Sequence, residues 1–85
     1  MASYHLKVLT PQGVAYEGEA VHVLVPAEDG FVGSLANHAP YVACSSGGRL
    51  EIQEAAGGEK KFSVGPGFFE VAHNQATLLT QSFSQ

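Results

Sequence analysis

Glycine and proline interrupt this sequence so often that few long helices could fit between them. The chain has ten glycines and four prolines in 85 residues. Glycine in a helix interior costs stability and proline breaks the helix, whereas both are common in the turns between strands. The sequence therefore favours short β-strands joined by turns over a helical bundle.

Apolar and polar residues alternate in the segments between these interruptions. A period of two residues is typical of a strand with one face in the core. Pro26 is expected to end one such strand, in which Val21, Val23 and Val25 share a face. The strands predicted for the first half of the chain cover residues 5–10, 14–18, 20–25, 31–35 and 41–45.

A β-hairpin is predicted in the second half of the chain. Residues 49–54 alternate strictly, residues 55–58 have the composition of a turn, and residues 61–64 alternate again. Two alternating segments joined by a short glycine-containing turn are typical of a hairpin.

Residues 68–85 fit two different patterns. In the first, Phe69 and Val71 share a strand face, residues 73–75 turn, and residues 77–80 form a final strand. In the second, apolar residues recur at helical spacing without an intervening glycine or proline: these are Phe68, Ala72, Ala76, Leu79 and Phe83. Periodicity alone favours the strands and leaves the helix open.

The length and composition allow one compact domain, residues 1–85. Hydrophobic residues make up 45% of the chain and charged residues 14%, a balance that argues against disorder. Regularly spaced turn signals among about eight to ten short strands are typical of a sandwich or barrel closed on one core. The fold class predicted from the residues is therefore all-β.

Charge and cysteine content narrow the functional classes. The formal net charge is −4, the wrong sign for gathering phosphates, so we expect no nucleic-acid partner. Cys44 is the only cysteine and cannot form an internal disulfide, which fits a reducing compartment. No signal peptide is recognisable, and no segment approaches the roughly 20 apolar residues of a membrane span. A soluble, unexported protein is expected.

No group of residues predicts catalysis, a cofactor or a metal site. None of the four histidines has a partner at metal-ligand spacing. An enzyme would need Cys44, His38 and Asp29 to act as nucleophile, base and orienting carboxylate. Cys44, however, lies in an apolar strand and is expected to be a small buried hydrophobe. We therefore assign no catalytic, cofactor-binding or metal-binding residue.

An independent small all-β carrier or binding module remains an alternative. Lys60 and Lys61 follow the predicted hairpin turn, where a carrier domain could hold a modified lysine. Their neighbours Glu59 and Phe62 match no lipoyl or biotinyl attachment context. A protein that works by contact with other proteins is favoured over a carrier.

Several motifs resemble one family when they are taken in order. Residues 28–40, EDGFVGSLANHAP, resemble the central signature of the epsilon subunit of F-type ATP synthases, called delta in mitochondria. Residues 4–11 and 16–20 resemble the family's opening strand and its aromatic-x-Gly turn. Residues 48–52 and 64–79 resemble its glycine-led hairpin and its Gly-x-Gly-Phe-x-Glu-Val block. Each motif alone is weak, but their order and spacing cover nearly the whole chain.

This resemblance implies a fold and a function. The fold would be an antiparallel β-sandwich of about ten strands, with residues 68–80 as a hairpin. The function would be that of a noncatalytic rotor subunit of the central stalk, which clamps the gamma subunit to the c-ring and couples proton translocation to ATP synthesis. The domain would lie peripherally at the cytoplasmic face of the bacterial inner membrane, associated with the membrane only through the complex.

The resemblance also implies two groups of contact residues. Contact with the polar loops of the c-ring would be made by Glu28, Asp29, Gly30, Phe31 and Val32. Many relatives carry an acidic residue at the position of Phe31, so this contact is expected to be more apolar here. The gamma subunit would be faced by Thr10, His38 and Ala43.

The family pattern usually continues into a pair of C-terminal helices that can inhibit ATP hydrolysis. The 85 residues leave no room for this helical arm. We therefore expect coupling without inhibition by such an arm, and no complete nucleotide site.

Overall fold

The computed structural model of the chain describes residues 3–27, 30–35 and 41–85, with the backbone alone at residues 27, 30–35 and 41. In this part of the chain the regular elements are all β-strands, and no helix could cross a membrane. The strands are β1 (Tyr4–Thr10), β2 (Gly13–Ala27), β3 (Gly30–Leu35), β4 (Tyr41–Ser45), β5 (Gly48–Glu54), β6 (Gly58–Val64), β7 (Gly67–Ala72), β8 (Gln75–Thr80) and β9 (Phe83–Ser84).

The long strand β2 belongs to both layers of the fold. The hydrogen-bonded order is β4-β7-β8-β1-β2-β5-β6-β9, and β3 also pairs with β2. Residues 13–20 of β2 pair with β1, residues 22–27 pair with β3, and residues 20–24 pair with β5. The first layer therefore holds β4, β7, β8, β1 and the start of β2, and the second holds β3, the end of β2, β5, β6 and β9. The predicted all-β sandwich is confirmed, with nine strands in the described residues.

One strand pair departs from the predicted antiparallel arrangement. β1 and β8 run parallel, with Leu6 opposite Ala76 and Val8 opposite Leu78. Parallel neighbours cannot be joined by a short hairpin and need a long crossover connection. Here the whole chain between Thr10 and Gln75 forms that connection. Local sequence patterns therefore could not predict the parallel pairing of β1 with β8.

β2 also differs from the two separate strands predicted for residues 14–25. It runs without interruption through Pro26, which stands opposite Phe31 and accepts a hydrogen bond on its carbonyl oxygen from Ser46 N at 3.1 Å. The pairing with β5 is irregular between Ala20 and His22, as in a β-bulge.

This bulge changes which residues of β2 face the core. Ala20 is fully buried before it, and Val23 and Val25 are buried after it. Val21 itself is only half-buried. The prediction that Val21 shares a face with Val23 and Val25 is therefore wrong, because one extra residue shifts the alternation.

The core of the described residues lies between the two layers and draws residues from six strands. All of its members are apolar, and nine of them are 0% exposed. They are Tyr4, Leu6, Val8, Ala20, Val23, Val25, Leu50, Ile52, Phe62, Val64, Phe69, Val71, Ala76 and Leu78.

The predicted hairpins are confirmed at both positions. Residues 55–57 connect β5 to β6, whose register pairs Glu54 with Gly58. His73 and Asn74 connect β7 to β8 with φ values of 51° and 59°, and two positive φ angles match the twist of a two-residue hairpin turn. The helical alternative for residues 68–85 is thereby excluded.

Tyr16 ties β2 to the end of β5. Its hydroxyl donates a hydrogen bond to Glu54 Oε2 at 2.6 Å, and its ring lies 5.8 Å from the ring of Phe62. Burial, followed by this contact with Glu54, raises the pKa of Tyr16 well above its usual value. The phenol therefore stays protonated and acts as a donor at the edge of the core.

Replacing Gly67 with alanine should destabilise the domain by about 1 to 3 kcal/mol. A Cβ at this position would overlap the backbone carbonyl oxygen of Leu79, which cannot move without disturbing the β7–β8 pairing. Gly18→Ala is the control, because its Cβ would meet only the end of the Tyr16 side chain at 3.1 Å. Urea unfolding measures both, and an equal loss in the two variants would contradict the expectation.

Candidate protein-binding surface

An apolar row crosses the outer face of the first layer. It consists of five outward-facing residues, one from each strand, that stand opposite one another in the strand register: Cys44, Phe68, Leu79, Leu9 and Val14. Val14 is 56% exposed, Phe68 55% and Leu79 49%. Large hydrophobic side chains that line up on a surface, instead of lying singly, indicate an interaction site.

Alternation along each strand produces this row. Phe69 is fully buried while Phe68 points outward, and Leu78 is fully buried while Leu79 points outward. A strand needs only one apolar face to cover a core. The second apolar residue of each pair therefore has no role in the core of this chain.

Apart from the exposed Val42, the rest of this outer face is polar and carries charge of both signs. The row next to the apolar row consists of Val42, Glu70, Thr77, Lys7 and Glu17. Beyond it, His5 stands between Gln75 and Glu19. The apolar row therefore lies at one end of the face, and the charged residues lie beside it.

A shallow groove of about 300 Å³ runs along the apolar row. It is lined by Leu9, Thr10, Pro11, Gly67, Phe68, Leu79, Thr80 and Gln81. The Thr10 hydroxyl oxygen accepts a hydrogen bond from Gln12 N at 3.2 Å and also lies 3.2 Å from Gln12 Oε1. Thr10 thus contributes a hydroxyl group, fixed by its contacts with Gln12, to a groove whose other lining residues are mostly apolar.

The outer face of the second layer is polar by contrast. Arg49, Glu51 and Gln53 of β5 stand opposite Ser63, Lys61 and Glu59 of β6. Lys61 Nζ lies 3.8 Å from Glu59 Oε1 in an exposed ion pair. This face is suited to solvent, which makes the first layer the better candidate for binding a protein.

Two of the three residues predicted to face gamma lie beside the apolar row. Thr10 follows Leu9 and lines the groove. Ala43 precedes Cys44 on β4 and is half-buried opposite the buried Phe69. His38 lies outside the described residues.

The residues predicted to contact the c-ring lie in and before β3. The backbone of Gly30, Phe31 and Val32 is in β3, where these residues pair with Ala27, Pro26 and Val25, whereas Glu28 and Asp29 lie outside the described residues. The hydrogen bond from Ser46 N to Pro26 O ties this hairpin to the chain just after β4. The β2–β3 hairpin therefore begins near the β4 end of the apolar row.

The prediction that Cys44 is buried is wrong. Its side chain is exposed and belongs to the apolar row. The short apolar segment of β4 did not reveal which of its residues face inward, because Ala43 and Cys44 are both small. Among the described residues no group of three His, Cys, Asp or Glu side chains could hold a metal ion.

Sequence reasoning missed the apolar row as a unit. Its members come from five strands, so only the pairing of those strands reveals it. The adjacent pairs Phe68-Phe69 and Leu78-Leu79 were the available signal, because alternation forces one residue of each pair to the outside.

Comparison with known proteins identifies one family over nearly the whole chain. Residues 3–85 match the family model described as ATP synthase, Delta/Epsilon chain, beta-sandwich domain. The chain is 34% identical over 82 residues to the ATP synthase epsilon chain of Chlorobium limicola, with 96% of this chain and 93% of that protein covered. It is 42% identical over 78 residues to the epsilon chain of Leptospira borgpetersenii, with 89% of this chain and 59% of that protein covered.

A solved structure has the same fold. A chain in the structure of the Euglena gracilis mitochondrial ATP synthase, OSCP/F1/c-ring, superposes with a TM-score of 0.89 at 19% identity. The match covers 98% of this chain and 53% of that one. The chain thus spans about half to nearly all of the length of the proteins it matches.

Truncating Phe68 should cost little stability, whereas truncating its neighbour Phe69 should cost much. Phe69→Ala removes a fully buried ring and should lower the free energy of unfolding by about 3 to 5 kcal/mol. Phe68→Ala should change it by less than about 1 kcal/mol, because the ring is 55% exposed. Urea denaturation of the two variants checks this, and similar costs would contradict the outward placement of Phe68.

Proposed function

Because the chain belongs to the delta/epsilon family of ATP synthase subunits, through their β-sandwich domain, we propose that it is a noncatalytic subunit of the rotor stalk that clamps the gamma subunit to the c-ring. The observation that carries this proposal is the apolar row on the first layer. In this proposal gamma binds the row, and the β2–β3 hairpin touches the loops of the c-ring.

The apolar row has the chemistry of an interface centre. Burying exposed apolar area contributes about 25 cal/mol per Å², and large side chains near the middle of an interface contribute most of the affinity. Phe68 and Leu79 stand opposite each other in the middle of the row. Thr10 and Ala43, the described residues expected to face gamma, neighbour the row at Leu9 and Cys44.

The size of the domain also fits a whole-face contact. A stable interface buries about 800 Å² on each partner, which is about a sixth of the 4782 Å² accessible surface of this chain. Such an area corresponds to one face of a layer and leaves the polar second layer in solvent.

The c-ring contact is proposed for Glu28, Asp29, Gly30, Phe31 and Val32. The carboxylates of Glu28 and Asp29 would pair with basic residues of the c-ring loops, and Phe31 would add an apolar contact. The β2–β3 hairpin is hydrogen-bonded to the residue that follows β4, and β4 holds one end of the apolar row. A single rigid domain would therefore bind both gamma and the c-ring.

Rigidity is what this role requires. Torque that passes through a soft element is stored as strain, whereas a close-packed sandwich with continuous strand pairing deforms little. The domain would then transmit rotation driven by proton translocation to gamma. It would lie at the cytoplasmic face of the bacterial inner membrane and be held there only by the complex.

Replacing Phe68 with glutamine should weaken gamma binding about tenfold or more, because the variant removes a large apolar side chain from the proposed interface centre. Leu24→Gln is the matched control, since Leu24 is half-buried on β2 opposite Glu51 of the second layer. Titration calorimetry with purified gamma measures the affinities. Absence of binding by the unmodified chain at micromolar concentration would contradict the clamp, and equal affinities of the two variants would contradict the role of the apolar row.

Phe31→Asp should weaken binding to the membrane sector more than binding to gamma. The change places a charge where an apolar contact with the c-ring is proposed, on β3 and not in the apolar row. Phe68→Gln should have the opposite selectivity, so the two variants control for each other in co-sedimentation with c-ring vesicles and with gamma. Equal loss of both partners in Phe31→Asp would indicate misfolding or a wrong assignment of the hairpin.

A further inference from the structure

One histidine on the outer face of the first layer is held between two carboxylates. His5 of β1 stands opposite Glu19 of β2, two pairs along the ladder from Lys7 and Glu17. His5 Nε2 lies 2.6 Å from Glu17 Oε2, and His5 Nδ1 lies 3.2 Å from Glu19 Oε2. Both ring nitrogens therefore have an acidic partner on the neighbouring strand.

This geometry favours a proton on each nitrogen. A neutral imidazole has one N–H and one lone pair, so it can donate to only one of the two carboxylates. Its lone pair would then face the negative charge of the other. An imidazolium donates to both, so the arrangement is that of the charged form.

The surrounding groups favour the charged form as well. Lys7 Nζ lies 4.0 Å from Glu17 Oε2 and offsets part of one negative charge. On β8, the neutral Gln75 stands opposite His5 and the neutral Thr77 stands opposite Lys7. The exposed turn that precedes Gln75 contains His73 and Asn74. The hydrogen bonds to Glu17 and then Glu19 raise the pKa of His5 above its usual value.

The same groups anchor the beginning of β1. Ser3 Oγ donates to Glu19 Oε1 at 3.2 Å, and Asn74 Nδ2 donates to Ser3 O at 2.8 Å. The backbone N–H of His5 donates to Asn74 O at 3.3 Å. The first residues of the strand are thus held from both sides, and Glu19 is shared by Ser3 and His5.

We propose that His5, Glu17 and Glu19 form a proton-dependent clasp that fastens the start of β1 to β2 and opens when the imidazole loses its proton. On deprotonation one carboxylate loses its donor. The longer contact, from Nδ1 to Glu19, breaks, and Ser3 loses part of its anchorage.

The direction of the pH dependence follows from the raised pKa. The stabilisation by the clasp is fully present below the pKa of His5 in the unfolded chain, provided that the carboxylates are ionised. It is lost as the pH rises through the higher pKa of the folded chain. Because these side chains are more than a third exposed, the effect is local and does not unfold the domain.

NMR titration of the 85-residue chain tests the clasp. The imidazole shifts of His5 should titrate at higher pH in the folded chain than in a peptide of residues 3–7. Glu17→Gln and Glu19→Gln should each lower the midpoint of the folded chain. Equal midpoints in the chain and the peptide would overturn the proposal, as would a midpoint that neither variant changes.

Hydrogen exchange tests the opening itself. After correction for intrinsic rates, the protection of the His5 amide should fall roughly two- to fivefold as the pH passes the His5 midpoint. The fall should disappear in His5→Gln, which keeps a donor but cannot titrate, and persist in His22→Gln, which removes a histidine outside the clasp. The same fall in His5→Gln as in the unmodified chain would overturn the proposal. Should His5→Gln fail to fold, the carboxylate variants in the titration still decide it.

Discussion

The domain depends on the hydrogen bonding of β2 to β1, β3 and β5 at the same time. No other strand in the described part of the chain pairs with three neighbours. The irregular pairing between Ala20 and His22 lets one continuous strand serve both layers while keeping apolar residues turned to the core, first Ala20 and then Val23 and Val25. If β2 were shifted by one residue relative to β1, its buried and exposed faces would exchange. The pairing register of β2 therefore determines which of its residues lie in the core and which lie on the outer face.

The outer faces of the two layers differ in polarity, and the packing of the core does not account for this difference. Leu6, Val8, Phe69 and Leu78 fill the core from the first layer, so nothing in the core explains why Phe68 and Leu79 are also large and apolar. In a protein that acts alone, such an exposed apolar row would promote unwanted self-association. The proposed function gives the row a purpose, because a stalk subunit that clamps gamma would have to hold it firmly while rotating with it.

Much of the fold could be predicted from local patterns, whereas the candidate surface could not. The alternation in residues 49–54 and the turn at residues 73–75 each depend on neighbours in sequence, and both predictions are confirmed. The parallel pairing of β1 with β8, the passage of β2 through Pro26 and the exposure of Cys44 depend on partners far along the chain, which a single sequence does not reveal. The apolar row is of this kind, because it exists only after five strands are placed side by side. The c-ring and gamma assignments came from the resemblance of residues 28–40, and they stay predictions.

Alkylation of Cys44 tests the central claim most directly, because it is the only cysteine of the chain and lies in the apolar row. The rate of modification by a small maleimide would be measured by mass spectrometry of this chain, alone and with saturating gamma. If gamma binds the apolar row, the rate should fall about tenfold or more on complex formation, since a thiol within a well-packed interface is closed to solvent. An unchanged rate in a complex that demonstrably contains gamma would contradict the account.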